Sequence, residues 1–107
     1  MKINACLLST TDEWKTPLKV YDSLNKEFNF NDDPCPLNEV WDGLYREWGT
    51  STFVNPPYSK IKMWIKKGYE ESQKNKTIVM LIPSRTDTSW WHEFVMKANE
   101  IRFIKGR

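Results

Sequence analysis

At 107 residues, with 39% apolar and 14% aromatic content, the chain is bounded to one compact domain, short for an α/β fold. It has no run of ~18 apolar residues able to span a membrane, and no small-residue cleavage site follows its short apolar start, so a cytoplasmic protein is expected. The net charge of +2 hides an asymmetry, with 5 Lys/Arg against 9 Asp/Glu in residues 1–58 and 11 against 5 in residues 59–107.

A basic second half suits contact with phosphates, and the competing reading is a solvated lysine-rich helix face. Cys6 and Cys35 lack Cys-x-x-Cys spacing and His92 is the only histidine, which argues against a metal site and for reduced, partly buried thiols.

The first helix is expected to begin at Thr16-Pro17, with Thr16 as N-cap and Pro17 at the first helical position. Leu18, Tyr21, Leu24 and Phe28 form its apolar stripe. A short strand over residues 28–31 should lead into Asp32-Asp33-Pro34-Cys35-Pro36, where two prolines forbid regular structure and leave a pair of carboxylates at a strand end. From Leu37 to Gly49 the pattern predicts an irregular or short helical connection, with Trp41, Leu44, Tyr45 and Trp48 packing and Gly43 and Gly49 turning the chain.

Ser51-Thr52-Phe53-Val54 reads as a strand that ends in Asn55-Pro56-Pro57-Tyr58. Beyond it, Ile61, Trp64, Ile65, Gly68 and Tyr69 recur at helical spacing, with Ser59 as the expected N-cap and an end between Gln73 and Lys76. Residues 77–82 are continuously apolar, the pattern of a strand buried on both faces, and Pro83 stops it. The polar Ser84–Thr88 loop leads to a helix holding Trp90, Trp91, Phe94, Val95 and Ala98, and residues 100–105 alternate like a strand with one covered face. Strands alternating with helices predict an α/β fold with a small, mainly parallel sheet.

Asn55-Pro56-Pro57-Tyr58 suits a particular chemistry, methylation of an amino group on a nucleic-acid base. An exocyclic amino group is a poor nucleophile because its lone pair is delocalised into the ring, so a catalyst must set acceptors against its N–H groups. Asn55 offers a side-chain oxygen, and Pro56 a backbone carbonyl left accessible because Pro57 has no N–H. Both bind more strongly as positive charge develops on nitrogen. Tyr58 would stack on a base rotated out of the duplex, worth roughly 1–3 kcal/mol. The bland alternative is a rigid turn with a half-buried Tyr. The strand before it and helix after it favour a site, because ligands in open α/β sheets bind at the carboxyl ends of strands.

Several motifs occur in order: Thr-Asp-Glu-Trp-Lys-Thr-Pro at 11–17, Asp-Pro-Cys-Pro at 33–36, Phe-Val-Asn-Pro-Pro-Tyr-Ser at 53–59, Leu-Ile-Pro-Ser-Arg-Thr-Asp-Thr at 81–88 and Ile-Arg-Phe-Ile-Lys-Gly-Arg at 101–107. With them the chain resembles the phage-type, Dam-like DNA adenine amino-methyltransferase family from Thr11 onward. The resemblance implies a Rossmann-like S-adenosylmethionine-dependent methyltransferase fold, site-specific methyl transfer to adenine in double-stranded DNA, and a phage or prophage origin. It also implies that Asn55, Pro56, Pro57 and Tyr58 are catalytic, that Thr16-Pro17 meets the amino-acid end of the cofactor, and that Asp33-Pro34 lies beside the cofactor. Family members continue past a Gly-Arg like that at 106–107, so the expected organisation is an N-terminal extension over 1–10 and a methyltransferase domain over 11–107, incomplete at its C terminus. The glycine-rich cofactor loop of many amino-methyltransferases has no counterpart here before Gly43.

Within that frame, Asp32 and Asp33 either accept hydrogen bonds from the cofactor's ammonium or hydroxyl groups or cap an Asx turn, and Asp33 is the preferred cofactor contact. Trp14 either faces the sulfonium through cation–π attraction or packs in the core. Lys60, Lys62 and Arg85 are candidate DNA-phosphate contacts, with a salt bridge from Arg85 to Asp87 as the alternative. Two other functions remain open: a non-catalytic remnant that binds DNA or cofactor, and an amino-methyltransferase acting on cytosine, RNA or protein glutamine. Target sequence and oligomeric state are not legible.

Overall fold

The computed structural model describes residues 2–6, 15–36 and 42–105, with side chains of residues 2–6 and 42 left aside; Trp14 and Trp41 lie outside the described residues. The elements run β1 (Lys2–Cys6), α1 (Leu18–Phe28), β2 (Ser51–Val54), α2 (Ile61–Ser72), β3 (Thr77–Pro83), α3 (Ser89–Glu93) and β4 (Glu100–Phe103), with 3₁₀ turns at Asp42–Tyr45, Tyr58–Lys60 and Val95–Lys97. The strands form one parallel sheet in the order β2-β3-β1-β4. Residues 2–6, read from sequence as part of an extension, thus supply a strand between β3 and β4.

The alternation along β3 explains the layering. Ile78, Met80 and Ile82 face α2 and α3 together with Val54, Trp64, Ile65, Trp90, Trp91 and Phe94. Val79 and Leu81 face the other way, onto Leu24 of α1 and Phe53 of β2. A strand buried on both faces needs helices on both sides, and α1 on one face with α2 and α3 on the other satisfies that need. Tyr21 meets Phe53 edge to face at 5.2 Å between ring centroids. Arg102 of β4 reaches both carboxylate oxygens of Glu27 on α1 at 2.7 and 2.6 Å, which ties the first helix to the last strand.

The helix starts differ from the expected ones. Pro17, not Thr16, is the N-cap of α1, because its carbonyl accepts from Tyr21 N–H and closes the first turn; no side chain caps it. Leu18 is 73% exposed, and Val20 joins Tyr21 and Phe28 against the core in its place. Ser59 falls inside a 3₁₀ turn instead of capping α2. The helix after β3 breaks at Phe94, where φ is −122°, so its second half is the 3₁₀ turn Val95–Lys97. The strand expected over residues 28–31 does not form: Phe28 ends α1, and Asn29 takes the left-handed conformation, φ 53°, that terminates many helices. The Asn25 side chain then accepts from Phe30 N–H. Pairing resumes only at Asp32, which bridges Thr52 in parallel and extends the sheet beyond β2.

At the amino ends of β2 and β3, Glu71 is buried, 1% exposed, on the apolar stripe of α2. Its carboxylate accepts from Lys67 at 3.0 Å, Lys74 at 2.9 Å, Lys76 at 2.7 Å and Trp48 N–H at 3.0 Å. Burial alone would raise its pKa, but these four donors outweigh it and bring the carboxyl from 4.5 to about 2.

Because the folded-state pKa is depressed, the carboxylate's contribution is complete above the unfolded value of 4.5 and is lost as pH falls toward about 2. Glu71→Gln should lower stability at neutral pH by about 2 kcal/mol, less than for a fully buried pair because the lysines keep solvent access. Urea midpoints between pH 2 and 7 should therefore converge for wild type and variant toward the acid end, and parallel curves would remove Glu71 from this role.

Candidate active site

The parallel pairing of β2 with β3 sends their carboxyl ends to one rim, where Asn55 and its contact Thr16 lie. Asn55 follows directly on β2. Pro56 is buried, Pro57 is extended at φ −68° and ψ 145°, and Tyr58 opens the 3₁₀ turn that runs into α2. Each X-Pro step disfavours the helical region for the residue before it, so Asn55 and Pro56 stay extended until Pro57 is passed. Tyr58 is half-buried, with its hydroxyl oxygen inside.

Thr16 comes to Asn55 from the start of α1. The Asn55 side-chain Nδ2 donates to Thr16 Oγ1 at 2.9 Å, across 39 positions of sequence. The hydroxyl that sequence reasoning assigned to capping a helix is therefore used between segments. Pro17 follows at the helix entrance. Trp14, the remaining cofactor candidate in this stretch, lies outside the described residues.

The two acidic residues part company. Asp32 binds Arg46 through both carboxylate oxygens, at 2.8 and 2.9 Å, and accepts from Gly49 N–H at 2.9 Å. Burial pushes its pKa up, yet the Arg46 and Gly49 contacts prevail and hold it below the usual carboxylate range. Its capacity is spent on fixing the chain that returns into β2. Asp33 is exposed and, among the described residues, accepts a 3.3 Å bond from Cys35 N–H, an Asx turn. Crowding by neighbouring atoms, tempered by its exposure to solvent, combines with the charge of Asp32 to push its pKa up. Since Asp32 lies level with Thr52, Asp33 and Pro34 leave the sheet beside the last turns of β2.

Gly43 supports this turn, and sequence reasoning saw in it only a change of direction. A Cβ there would overlap the Pro34 carbonyl oxygen and come within 2.9 Å of the Trp64 ring, so the close approach of the two segments requires glycine. Its own carbonyl accepts from Trp48 Nε1 at 2.7 Å. Arg46 was also missed, because no local pattern signals a partner 14 positions away.

The charged residues of the second half also divide. Lys67, Lys74, Lys76 and Arg102 pair with Glu71, Glu47, Glu27 and Glu100. Lys60, Lys62 and Arg85 are exposed and make no ion pair among the described residues, and Arg85 does not pair with Asp87. Lys60 and Lys62 follow Tyr58 at the start of α2, and Arg85 sits two residues past Pro83, the last residue of β3. The basic half thus supplies both an internal clamp and a smaller set of cations beside the site.

The chain is 32% identical over 108 residues to a DNA N-6-adenine-methyltransferase of Escherichia phage T1, covering 89% of this chain and 45% of that protein. It is 30% identical over 110 residues to a DNA N-6-adenine-methyltransferase of Haemophilus phage HP1 (strain HP1c1), covering 90% of this chain and 64% of that one. The chain therefore spans about half to two thirds of the length of these curated relatives. No solved structure matches it. A family model described as DNA N-6-adenine-methyltransferase (Dam) matches residues 5–107, and the chain belongs to that family.

Proposed function

We propose that this chain carries the methyl-transfer site of a DNA adenine methyltransferase with a Rossmann-like fold, using S-adenosylmethionine to methylate the exocyclic amino group of adenine in double-stranded DNA. The observation that carries the reading is Asn55-Pro56-Pro57-Tyr58 at the carboxyl end of β2, with the exposed Asp33 turn one strand away, in a chain of this family.

The residues present fit the cofactor. Asp33, exposed and accepting from Cys35 N–H, is an acceptor for ammonium or ribose hydroxyl groups, whereas Pro34 beside it is buried against Gly43 and would shape the turn instead of touching the cofactor. Thr16 and Pro17 would border the amino-acid end at the entrance to α1. When bound, S-adenosylmethionine supplies an electrophilic methyl group on a sulfonium, which leaves as a neutral thioether.

The chain's own residues would do the rest. The Asn55 oxygen and the Pro56 carbonyl accept from the two N–H groups of adenine, which draws lone-pair density onto nitrogen and fixes its direction of attack. As the N–C bond forms, these acceptors stabilise the positive charge on nitrogen, and the surplus proton then passes to water. No side chain of ordinary basicity is required for it, since an N-alkylated aminium is strongly acidic. The Tyr58 ring would hold the flipped base by stacking, worth roughly 1–3 kcal/mol. Lys60, Lys62 and Arg85 would hold backbone phosphates around the extruded nucleotide.

With labelled S-adenosylmethionine and unmethylated duplex, the wild-type chain should yield N6-methyladenine on hydrolysis, and Asn55→Ala should reduce the rate at least about 100-fold, as loss of a preorganised polar group typically does. Equal transfer by both proteins would remove Asn55 from the chemistry. Duplex or cofactor binding without transfer by wild type would favour the remnant reading, and a labelled product other than methyladenine would favour another substrate.

Duplex affinity should fall linearly with salt on logarithmic axes. Lys62→Gln and Arg85→Gln should each reduce the slope by about 1 if each side chain holds one phosphate. Unchanged slopes in both variants would place the DNA elsewhere.

A further inference from the structure

We infer that Thr16 is a positioning residue whose hydroxyl sets the orientation of the Asn55 amide; this rests on the reading of Asn55 as an acceptor in methyl transfer. A primary amide has an oxygen and a nitrogen of almost equal size, and only one of them can accept from adenine. With Nδ2 donating to Thr16 Oγ1 at 2.9 Å, the planar amide fixes Oδ1 on its opposite branch, about 120° away around the same carbon. Rotation by a half turn would present N–H groups to the N–H groups of adenine and abolish the attraction.

Both partners of this hydrogen bond are stiff. Thr16 precedes Pro17 and Asn55 precedes Pro56, so each backbone is confined to the extended region. Thr16 is also β-branched, which restricts the one torsion that aims its hydroxyl. Little freedom is lost when the bond forms, and the amide is oriented before substrate arrives. Thr16 is free of the duty that its sequence position suggested, since α1 is capped at Pro17 without a side chain. A hydroxyl can accept from Nδ2 or donate to Oδ1, so the orientation is selected when its own proton is committed elsewhere: donated to a cofactor carboxylate at the same threonine, it leaves the oxygen only as an acceptor for Nδ2.

Thr16→Val keeps the shape and removes the hydroxyl, whereas Thr16→Ser keeps it. In ¹H–¹⁵N spectra of the full chain, with the Asn55 side-chain pair assigned by its loss in Asn55→Ala, one proton should be shifted downfield and protected from exchange. That signature should vanish in Thr16→Val and persist in Thr16→Ser. Single-turnover methyl transfer should fall about 10- to 100-fold in Thr16→Val, the scale expected for a misplaced group, with duplex Kd within about threefold of wild type and the rate largely rescued in Thr16→Ser. Comparable melting temperatures would exclude a folding effect. The assignment is overturned by a solvated-type Asn55 amide in wild type, by an undiminished rate in Thr16→Val, or by equal losses in both variants. A wild-type chain without transfer activity would instead defeat the reading of Asn55 as a methyl-transfer acceptor, while the amide spectrum still decides whether Thr16 orients it.

Discussion

The structure depends on β3 being buried on both faces. Seven residues that place Ile78, Met80 and Ile82 on one side and Val79 and Leu81 on the other cannot be an edge or a half-exposed strand. They require a strand on each side, supplied by β2 and β1, and helices above and below. Parallel pairing follows from the α2 crossover between β2 and β3, and it brings the carboxyl ends of both strands to one rim. Asn55 and Arg85 both follow strands that end toward this rim for that reason, although 30 positions separate them in the sequence.

Charge is segregated along the same axis. At the amino ends of the strands, Glu71 gathers Lys67, Lys74 and Lys76 and accepts from Trp48 N–H, so α2 is fastened to the segments entering β2 and β3. At the carboxyl ends, Lys60, Lys62 and Arg85 make no ion pair among the described residues. Internal pairing at one end gives the fold a fixed base, while the exposed cations at the other stand beside the exposed Asp33 and Asp87. Asp32 belongs to the structural set despite sitting next to Asp33, because Arg46 and Gly49 N–H occupy it.

What was legible in the sequence was whatever a local pattern encodes. The strand Ser51–Val54, the stripe of α2 and the apolar run of β3 follow from periodicity and stand as expected. Helix ends were read less well. Thr16 looks like a cap, but its hydroxyl is claimed by Asn55, a partner that no window around residue 16 contains. Phe28-Asn29-Phe30-Asn31 looks like a strand by alternation, but the left-handed Asn29 ends a helix there instead. The strand Lys2–Cys6 was missed because five residues at a chain start carry too little periodicity to distinguish a strand from a tail. The Asn-Pro-Pro-Tyr turn between β2 and α2 was legible because its prolines bar helix until Pro57 is passed, and the difference between Asp32 and Asp33 was not, because Arg46 decides it from a distance.

In this proposal cofactor and adenine meet at the rim that carries Asn55 and Thr16, with Asp33 beside β2. The most direct measurement is amide chemical-shift mapping of the full chain on addition of S-adenosylmethionine, followed by a duplex containing unmethylated adenine. Cofactor shifts should centre on Thr16 and on Asp33 to Cys35, and duplex shifts on Asn55, Tyr58, Lys60, Lys62 and Arg85. Shifts centred instead on the groove between α1 and β4, lined by Val20, Leu24, Phe103 and Ile104, would contradict it.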